Sequence, residues 1–99
     1  MKLAVIIPVY NAENTIRKAV KSIDTTHDVE IICINDGSTD RTKQVLTELQ
    51  KEVKHLIVYH QDNQGAAKSR NMGLSAMSDD IDAFMFLDAD DQFLPGKMD

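Results

Sequence analysis

Three carboxylates fall within four residues near the end of this 99-residue chain. Asp88, Asp90 and Asp91 follow directly after an apolar run at 83–87. Carboxylates this close repel one another unless a cation lies among them. Hard oxygen ligands suit Mg²⁺ or Mn²⁺ better than Zn²⁺, and such a metal usually keeps waters and bridges the protein to substrate phosphates. The cluster therefore predicts a divalent-metal site. The competing interpretation is a solvated acidic loop whose aspartates cap the next turn.

A second polar cluster, at 35–40, reads Asn-Asp-Gly-Ser-Thr-Asp and follows another apolar run. Asp36 stands at the tip of that run, where a doubly wound fold holds the base or ribose of a nucleotide. Gly37 lets the chain turn sharply, and Ser38 or Thr39 can then cap a helix. A plain Asx-turn explains the turn equally well, but it does not explain two polar residues before the glycine.

Four short apolar runs predict the strands that position these clusters. Runs of about five residues that are apolar throughout are typical of strands buried on both faces of a parallel sheet. Polar residues follow each run at once, which is where ligands lie in such sheets, outside the carboxyl ends of the strands. The predicted strands are Leu3–Val9, Ile31–Ile34, Leu56–Tyr59 and Ala83–Leu87.

Three segments with helical periodicity separate the strands. The first, at 16–23, has Asn14 as its candidate N-cap, and the second, at 42–53, has cap candidates in the turn before it. The third, at about 65–77, is lined by small residues. Gly73 inside this helix costs about 1 kcal/mol relative to alanine, so we expect close packing against the sheet at that position.

The element order predicts a Rossmann-like, three-layer α/β/α fold with a parallel sheet. Winding outward from the first strand gives the strand order 3-2-1-4, in one domain that covers residues 1–99. The winding reverses between the first and fourth strands, and a ligand crevice opens at such a reversal. This brings 8–11 beside 88–91, with Asp36 one strand away. The fourth strand becomes an edge that is apolar on both faces, so self-association through this edge is a further expectation.

Composition excludes several classes of function. The formal charge of −5 and the isoelectric point near 5.0, without a run of basic residues, argue against nucleic acid or an anionic membrane as a partner. No apolar run approaches the ~20 residues of a membrane span. Pro8 interrupts the run that resembles a signal peptide, so the expected location is cytoplasmic. Cys33, the single cysteine, lies between two isoleucines and is expected to be a buried apolar residue.

Four segments together resemble the successive motifs of family 2 glycosyltransferases, which have the GT-A fold. In order they are 6–11, 35–40, 63–73 and 86–91, and the resemblance runs from residue 3 to about residue 95. Any one motif alone is weak, whereas four in order at family-like spacing are specific. The resemblance implies a nucleotide-sugar donor, most simply a UDP-sugar, and identifies this chain as the N-terminal donor-binding portion of a longer enzyme.

The resemblance implies a role for individual residues of this chain. Asp88 and Asp90 correspond to the family's Asp-x-Asp motif, in which Mn²⁺ or Mg²⁺ is held against the donor diphosphate, and Asp91 reaches the ribose or the metal. Lys68 and Arg70 face the diphosphate or brace the aspartates, or else belong to a solvated helix face. The residues implied in donor binding are Pro8, Tyr10, Asn11, Asp36, Lys68, Arg70, Asp88 and Asp91.

The resemblance also implies what this chain lacks. Asn35 stands where the family usually has an acid, so a contact that needs negative charge there is lost. An inverting displacement needs a general base to activate the acceptor hydroxyl. In the family that base lies beyond the position of Asp99, and no residue here can be named for it. The expected acceptor is a glycan or lipid-linked molecule of cell-envelope polysaccharide synthesis, met at the inner face of the membrane.

Other functions remain open at this point. A donor-binding module without turnover fits the same residues. A phosphatase of the haloacid dehalogenase type also uses Asp-x-Asp, but on its first strand and with the first aspartate as nucleophile. A response-regulator receiver domain needs an acid pair where this chain has Tyr10 and Asn11. His60 ends the outermost strand, and we expect it to lie away from the ligand.

Overall fold

The fold is a parallel four-stranded sheet with helices on both faces. The structure is a computed structural model and describes residues 1–26 and 28–90. The strands run in the order β3-β2-β1-β4, and every neighbouring pair is parallel. The predicted α/β class and the strand order 3-2-1-4 are confirmed. The elements are β1 Leu3–Val9, α1 Ile16–Lys21, β2 Val29–Asp36, α2 Thr42–Glu52, β3 Leu56–Gln61, α3 Ala66–Ala76 and β4 Ala83–Phe86.

The core lies on the two faces of β1 and β2. Because successive side chains of a strand point to opposite faces, Val5, Ile7 and Val9 pack with the buried residues of α1 and α2. Ile6 points the other way and belongs to a smaller cluster beneath α3. The two central strands are therefore buried on both faces, as their unbroken apolar sequence predicts.

Close packing of α3 on the sheet explains the glycine inside that helix. A Cβ atom added to Gly73 would lie 2.3 Å from Cγ2 of Ile6 on β1. Non-bonded carbon atoms prefer a separation near 3.5–4.0 Å, so any larger residue would push the helix away from the sheet. The sequence-based expectation of a close approach at Gly73 is confirmed.

The first helix differs from its prediction. Asn14 is not its N-cap, because α1 is preceded by Thr15 and begins at Ile16. The backbone N–H groups of Thr15 and Ile16 both donate to the Ala12 carbonyl, at 3.1 and 2.9 Å, so a backbone turn starts the helix without a side-chain cap. The predicted pattern also runs past the end of the helix at Lys21.

The fourth strand is not buried on both faces. β4 pairs on one side with β1 alone and forms the edge of the sheet, as predicted. Phe84 and Phe86 remain 49% and 41% exposed, because α3 packs mainly over β1 and β2 and covers β4 little. Their rings contact each other edge to face at 5.7 Å, and the Arg70 guanidinium lies 5.8 Å from the Phe86 ring centre. The apolar sequence of β4 thus correctly predicted a strand, but the burial of this strand on both faces was predicted wrongly.

The helices are short, and ion pairs join two of them. Arg17 of α1 pairs with Glu48 at 3.0 Å and with Glu52 at 2.8 Å, and Lys21 pairs with Glu52 at 2.8 Å. These side chains are exposed, so the pairs orient α1 on α2 more than they stabilise the fold. Within 1–26 and 28–90 no helix is both long and apolar enough to cross a bilayer.

Candidate functional site

A small cleft opens at the carboxyl ends of β1 and β2. Its volume is about 100 Å³, and its walls are Pro8, Val9, Tyr10, Asp36, Ala66 and Ser69. It lies beside the point where the winding of the sheet reverses, which is the expected place for a ligand. Three predicted site residues (Pro8, Tyr10 and Asp36) meet here. Ala66 and Ser69, from the first turn of α3, complete the wall and were not predicted.

The Asp36 carboxylate is buried and held by three donors. Its Oδ1 accepts hydrogen bonds from Gln61 Nε2 at 2.9 Å and from the backbone N–H of Gln64 at 2.7 Å. Its Oδ2 accepts the backbone N–H of Gly65 at 2.9 Å. Burial raises the pKa of Asp36, but the three hydrogen bonds outweigh burial and leave the pKa below its ordinary value. An ionised, fixed acceptor therefore stands in the wall of the cleft.

The loops after β2 and β3 approach each other too closely for a side chain at position 37. A Cβ atom on Gly37 would lie 2.6 Å from the backbone nitrogen of Asn63, and the φ of Gly37 is +70°. The Asn63 side chain donates to the Asp36 carbonyl at 3.1 Å. Glycine is thus required here by backbone conformation and by space.

The loops after β1 and β2 are also joined. The backbone N–H of Asn11 donates to Ser38 Oγ at 2.9 Å, and Asn11 Oδ1 accepts the backbone N–H of Thr39 at 2.8 Å. Asn11 has a φ of +48°, a conformation that asparagine tolerates better than most residues. Asn11 was predicted to bind the donor, and its side-chain oxygen contacts the neighbouring loop.

Asp40 and Thr42 strengthen this junction at the start of α2. Thr42 is fully buried, and its Oγ1 accepts the backbone N–H of Ala12 at 2.9 Å. Asp40 Oδ1 accepts both the backbone N–H and the hydroxyl of Thr42, and Oδ2 accepts the backbone N–H of Glu13 at 3.3 Å. Burial raises the pKa of Asp40, but these bonds lower it below its ordinary value. The loops that border the cleft are therefore joined to one another by hydrogen bonds.

The end of β3 takes part in the site more than its edge position predicted. Gln61 donates to Asp36, and its Nε2 also lies 3.3 Å from Ser69 Oγ. His60 Nδ1 lies 3.0 Å from Nδ2 of Asn35, whose Oδ1 accepts the Ser38 hydroxyl at 2.5 Å. The signal for these residues was present in the sequence, since polar residues follow every strand including β3.

Asp88 and Asp90 are exposed residues just past β4. The last paired residues of β1 and β4 are Ile6 and Phe86, and the backbone N–H of Leu87 donates to the Ile6 carbonyl at 3.0 Å. Pro8 lies two residues after Ile6, and Asp88 lies two residues after Phe86. This register agrees with the predicted placement of 8–11 beside 88–91. The predicted ligand Asp91 lies outside the described residues.

The donor set at this strand end limits the kind of metal site that fits. Within the part of the chain that the structure describes, no group of three or more metal-ligating side chains occurs. Among the described residues, Asp88 and Asp90 are two candidate ligands and not a complete set. Two exposed carboxylates fit a Mg²⁺ or Mn²⁺ ion that completes its coordination with waters and substrate phosphates.

The two predicted basic residues of α3 do not share a partner. Lys68 is exposed, whereas the Arg70 guanidinium lies over the Phe86 ring on the β4 side. Residues two apart on a helix are separated by about 200°, and buried Ser69 lies between them at the cleft. Arg70 is consequently the one placed toward β4, the strand that precedes Asp88.

Larger concave surfaces occur elsewhere, but they lack this chemistry. One of about 500 Å³ lies where α1 and α2 end, at the amino ends of β2 and β3, and includes the ion-paired side chains Lys21 and Glu52. Another, of about 640 Å³, lies along α2 and is open to solvent. Ligands of parallel α/β sheets bind at the opposite end of the strands, so we assign the site to the smaller cleft.

Comparison with known proteins identifies the family and the fold. The family described as Glycosyl transferase family 2 matches residues 4–98. TagX of Staphylococcus aureus strain MRSA252 is 41% identical over 103 residues, and the glycosyltransferase GlyA of Streptococcus pneumoniae serotype 4 is 43% identical over 93 residues and 91% of this chain. The crystal structure of S. aureus TarS 1-349 in complex with UDP superposes with a TM-score of 0.79, at 29% identity over 93% of this chain.

The chain is much shorter than the proteins it resembles. It spans 29% of the length of TagX and 13% of GlyA. It likewise covers 28% of the TarS chain solved with UDP. The matches therefore concern only that part of each relative which corresponds to this chain, and this part includes the cleft.

Proposed function

The chain belongs to glycosyl transferase family 2, and we propose that it is the donor-binding half of an enzyme that transfers a sugar from a UDP-sugar to an acceptor hydroxyl. One observation carries the proposal: Pro8, Tyr10 and Asp36 meet in a cleft at the switch point of the sheet, one strand from the end of β4. The UDP complex of TarS, which has the same fold here, supports UDP as the nucleotide.

The proposed role of the cleft is to hold the uracil base. Its volume of about 100 Å³ is below the roughly 300–1,000 Å³ of typical ligand pockets, so it suits one planar ring and not a whole donor. Tyr10 is about half exposed and offers a ring for stacking. Asp36 Oδ2, with a single donor from Gly65, offers a remaining acceptor site to the imide N–H of uracil.

The proposed cofactor is Mn²⁺ or Mg²⁺, held by Asp88 and Asp90 against the donor diphosphate. When bound, it would offset the negative charge that gathers on the leaving nucleoside diphosphate. The chain's own residues bind and orient the donor: Asp36 fixes the base, and Arg70 lies on the side of Asp88.

The proposed reaction is an inverting displacement. The bond from the anomeric carbon to the diphosphate oxygen breaks, and an acceptor oxygen bonds to that carbon from the opposite face. The acceptor proton passes to a general base that we place after Asp99. The proposed acceptor is a glycan or a lipid-linked saccharide of envelope polysaccharide synthesis, with the enzyme on the cytoplasmic side of the membrane.

A donor-binding module without turnover is the second candidate. It is favoured by one observation, namely that the chain spans only 29% of TagX and so corresponds to a part of such an enzyme. For the chain alone we therefore propose binding without sugar transfer. The phosphatase alternative is disfavoured, because Asp88 follows the fourth strand, while the first strand ends at Val9 and is followed by Tyr10 and Asn11.

Binding of UDP to the isolated chain tests the proposal. Calorimetry with UDP and with ADP should show preference for UDP, and Asp36→Ala should reduce affinity for UDP by ten-fold or more, because a buried charged acceptor is worth about 1.5–3 kcal/mol. Equal affinity of wild type and Asp36→Ala would refute the assigned role of Asp36. Radiolabelled sugar transfer by the chain alone would contradict the statement that it only binds.

The exposed edge at β4 supports one more proposal about the isolated chain. Phe84, Met85 and Phe86 are apolar and exposed along an edge strand, which is a site of strand-to-strand pairing. We propose that the isolated chain self-associates there. Light scattering should show mass growing with concentration, and less growth for Phe84→Lys. A monodisperse monomer at high concentration would contradict the proposal.

A further inference from the structure

A chain of hydrogen bonds crosses the carboxyl ends of three strands. It begins at the backbone N–H of Asn11 after β1, which donates to Ser38 Oγ at 2.9 Å. The Ser38 hydroxyl donates to Asn35 Oδ1 at 2.5 Å. The Asn35 amide then lies 3.0 Å from His60 Nδ1 on β3. Four groups thus connect the edge strand to the loop that borders the cleft.

The bonds of this chain run in one consistent direction. A backbone N–H can only donate, so Ser38 Oγ accepts from Asn11, and the Ser38 hydroxyl donates to Asn35 Oδ1. The amide oxygen of Asn35 is then used, and the group facing His60 is the NH₂, which can only donate. His60 Nδ1 must accept and therefore carries no proton. Protonated Nδ1 would face a second donor. Rotation of the Asn35 amide would relieve this, but the Ser38 hydroxyl hydrogen would then lose its acceptor.

We propose that His60, in its neutral form, is a positioning residue for the nucleotide site and makes nucleotide affinity fall at acidic pH. The inference rests on the proposed UDP binding and adds a regulation to it. Neutral His60 fixes the Asn35 amide, Asn35 fixes Ser38, and Ser38 holds the Asn11 loop beside Tyr10. Protonation of His60 breaks the chain at its end and loosens this border of the cleft.

The groups around His60 agree with a neutral ring. Partial burial lowers the pKa of His60, and the Lys43 ammonium on α2 lowers it further. From β2 the facing group is the Asn35 amide, while the neighbouring carboxylate of Asp36 is engaged by Gln61, Gln64 and Gly65. On its outer side β3 is the edge of the sheet. The ring is therefore neutral near pH 7 and gains its proton below its ordinary range near 6.5.

The test compares UDP affinity at about pH 8 and about pH 5.5 in four proteins: the wild type, His60→Asn, His60→Leu and His55→Asn. His60→Asn keeps an acceptor near the position of Nδ1 and does not titrate in this range. His55→Asn is the matched control, because His55 lies at the other end of β3 with a φ of +62°, which asparagine tolerates. The phosphate of UDP titrates in the same way in every sample. A difference in pH dependence between the proteins therefore reports the contribution of His60.

We expect acid to weaken UDP binding to the wild type and to His55→Asn about three- to ten-fold more than it weakens binding to His60→Asn. This factor corresponds to the loss of one or two net hydrogen bonds. His60→Leu should bind at pH 8 about as weakly as the wild type does in acid. Equal pH dependence in the wild type and His60→Asn would overturn the proposal.

A ligand-free measurement separates this inference from the proposed function. In NMR titrations the Asn35 side-chain amide and the Asn11 backbone amide should shift with the same midpoint as the His60 ring. Asn35→Asp should raise that midpoint, since a carboxylate favours the protonated ring. If these resonances do not follow His60, the hydrogen-bond chain is wrong even though UDP binds. If they follow but UDP does not bind at pH 8, the nucleotide role falls together with the proposed function.

Discussion

The side chain of Asp36 and the backbone of Gly65 meet at 2.9 Å, so the last residue of β2 holds the residue that precedes α3. The same carboxylate orders the loop before α3 and faces the cleft. Structure and proposed ligand binding therefore depend on one side chain. Variants of Asp36 need stability and affinity measured side by side.

Asp36→Asn should destabilise the fold as well as weaken UDP binding. All three partners of the carboxylate (Gln61, Gln64 and Gly65) donate, so an amide NH₂ in that place meets at least one donor head-on. We expect a loss of about 1–3 kcal/mol in the free energy of unfolding, the penalty for a buried unpaired polar group. Urea denaturation measures it.

The control for that variant is Asp62→Asn, the same chemical change at an exposed position of the adjoining loop. Surface substitutions of this kind usually stay within about 0.5 kcal/mol. Equal stability of Asp36→Asn and Asp62→Asn would contradict the three-donor arrangement.

Acid should remove part of the stability through Asp36 and Asp40. Hydrogen bonds hold both pKa values below the ordinary 3.8 in the folded protein. The unfolded chain therefore binds these protons at higher pH, and the stability they contribute is present above about pH 4 and lost as pH falls through the folded values. The destabilisation caused by Asp36→Asn should consequently shrink below about pH 4 in urea titrations. A constant difference down to about pH 2 would count against the lowered pKa.

Gly73→Ala should destabilise the protein although alanine favours helix. The new methyl group would lie 2.3 Å from Cγ2 of Ile6, and overpacking of this kind costs about 1–3 kcal/mol, more than the ~1 kcal/mol gained in helix propensity. Removing the obstacle with Ile6→Ala should reduce that cost in a double-mutant cycle. Ser75→Ala, on the exposed side of α3, is the control and should not destabilise. A more stable Gly73→Ala would show that helix and sheet are not in close contact.

Cys33 should react with thiol reagents only after unfolding. It is fully buried on β2, and burial raises the pKa of its thiol to about 12. Because it is the only cysteine, the labelling signal has one source. Fast labelling of the native protein by a disulfide reagent at about pH 8 would contradict the packing of β2. Denaturant provides the positive control.

Strand order and the location of the site were predictable from the sequence because each depends on local pattern. Unbroken apolar runs such as Leu3–Val9 identify the buried strands, and polar residues at their ends identify the ligand edge. The sequence placed Pro8 and Tyr10 at the end of one strand and Asp36 at the end of its neighbour, and the structure brings all three into one cleft.

Features that depend on contacts between elements were not predictable. Periodicity does not show where α1 ends, because Ile23 is buried without being helical. The apolar residue types of β4 do not show that Phe86 is exposed, since its exposure depends on how far α3 extends over β4. The donors to Asp36 include backbone groups of the loop before α3, and a backbone N–H carries no sequence signal.

The most direct test of the proposed donor site is calorimetric titration of UDP with and without saturating Mn²⁺. Comparing wild type with Asp90→Ala separates the metal from the nucleotide, and Asp62→Ala controls for loss of an exposed carboxylate. The expected result is UDP binding that Mn²⁺ strengthens in the wild type and in Asp62→Ala, with no gain from Mn²⁺ in Asp90→Ala. Absence of UDP binding, or an equal gain from Mn²⁺ in Asp90→Ala, would contradict a metal-assisted nucleotide site at the ends of β1, β2 and β4.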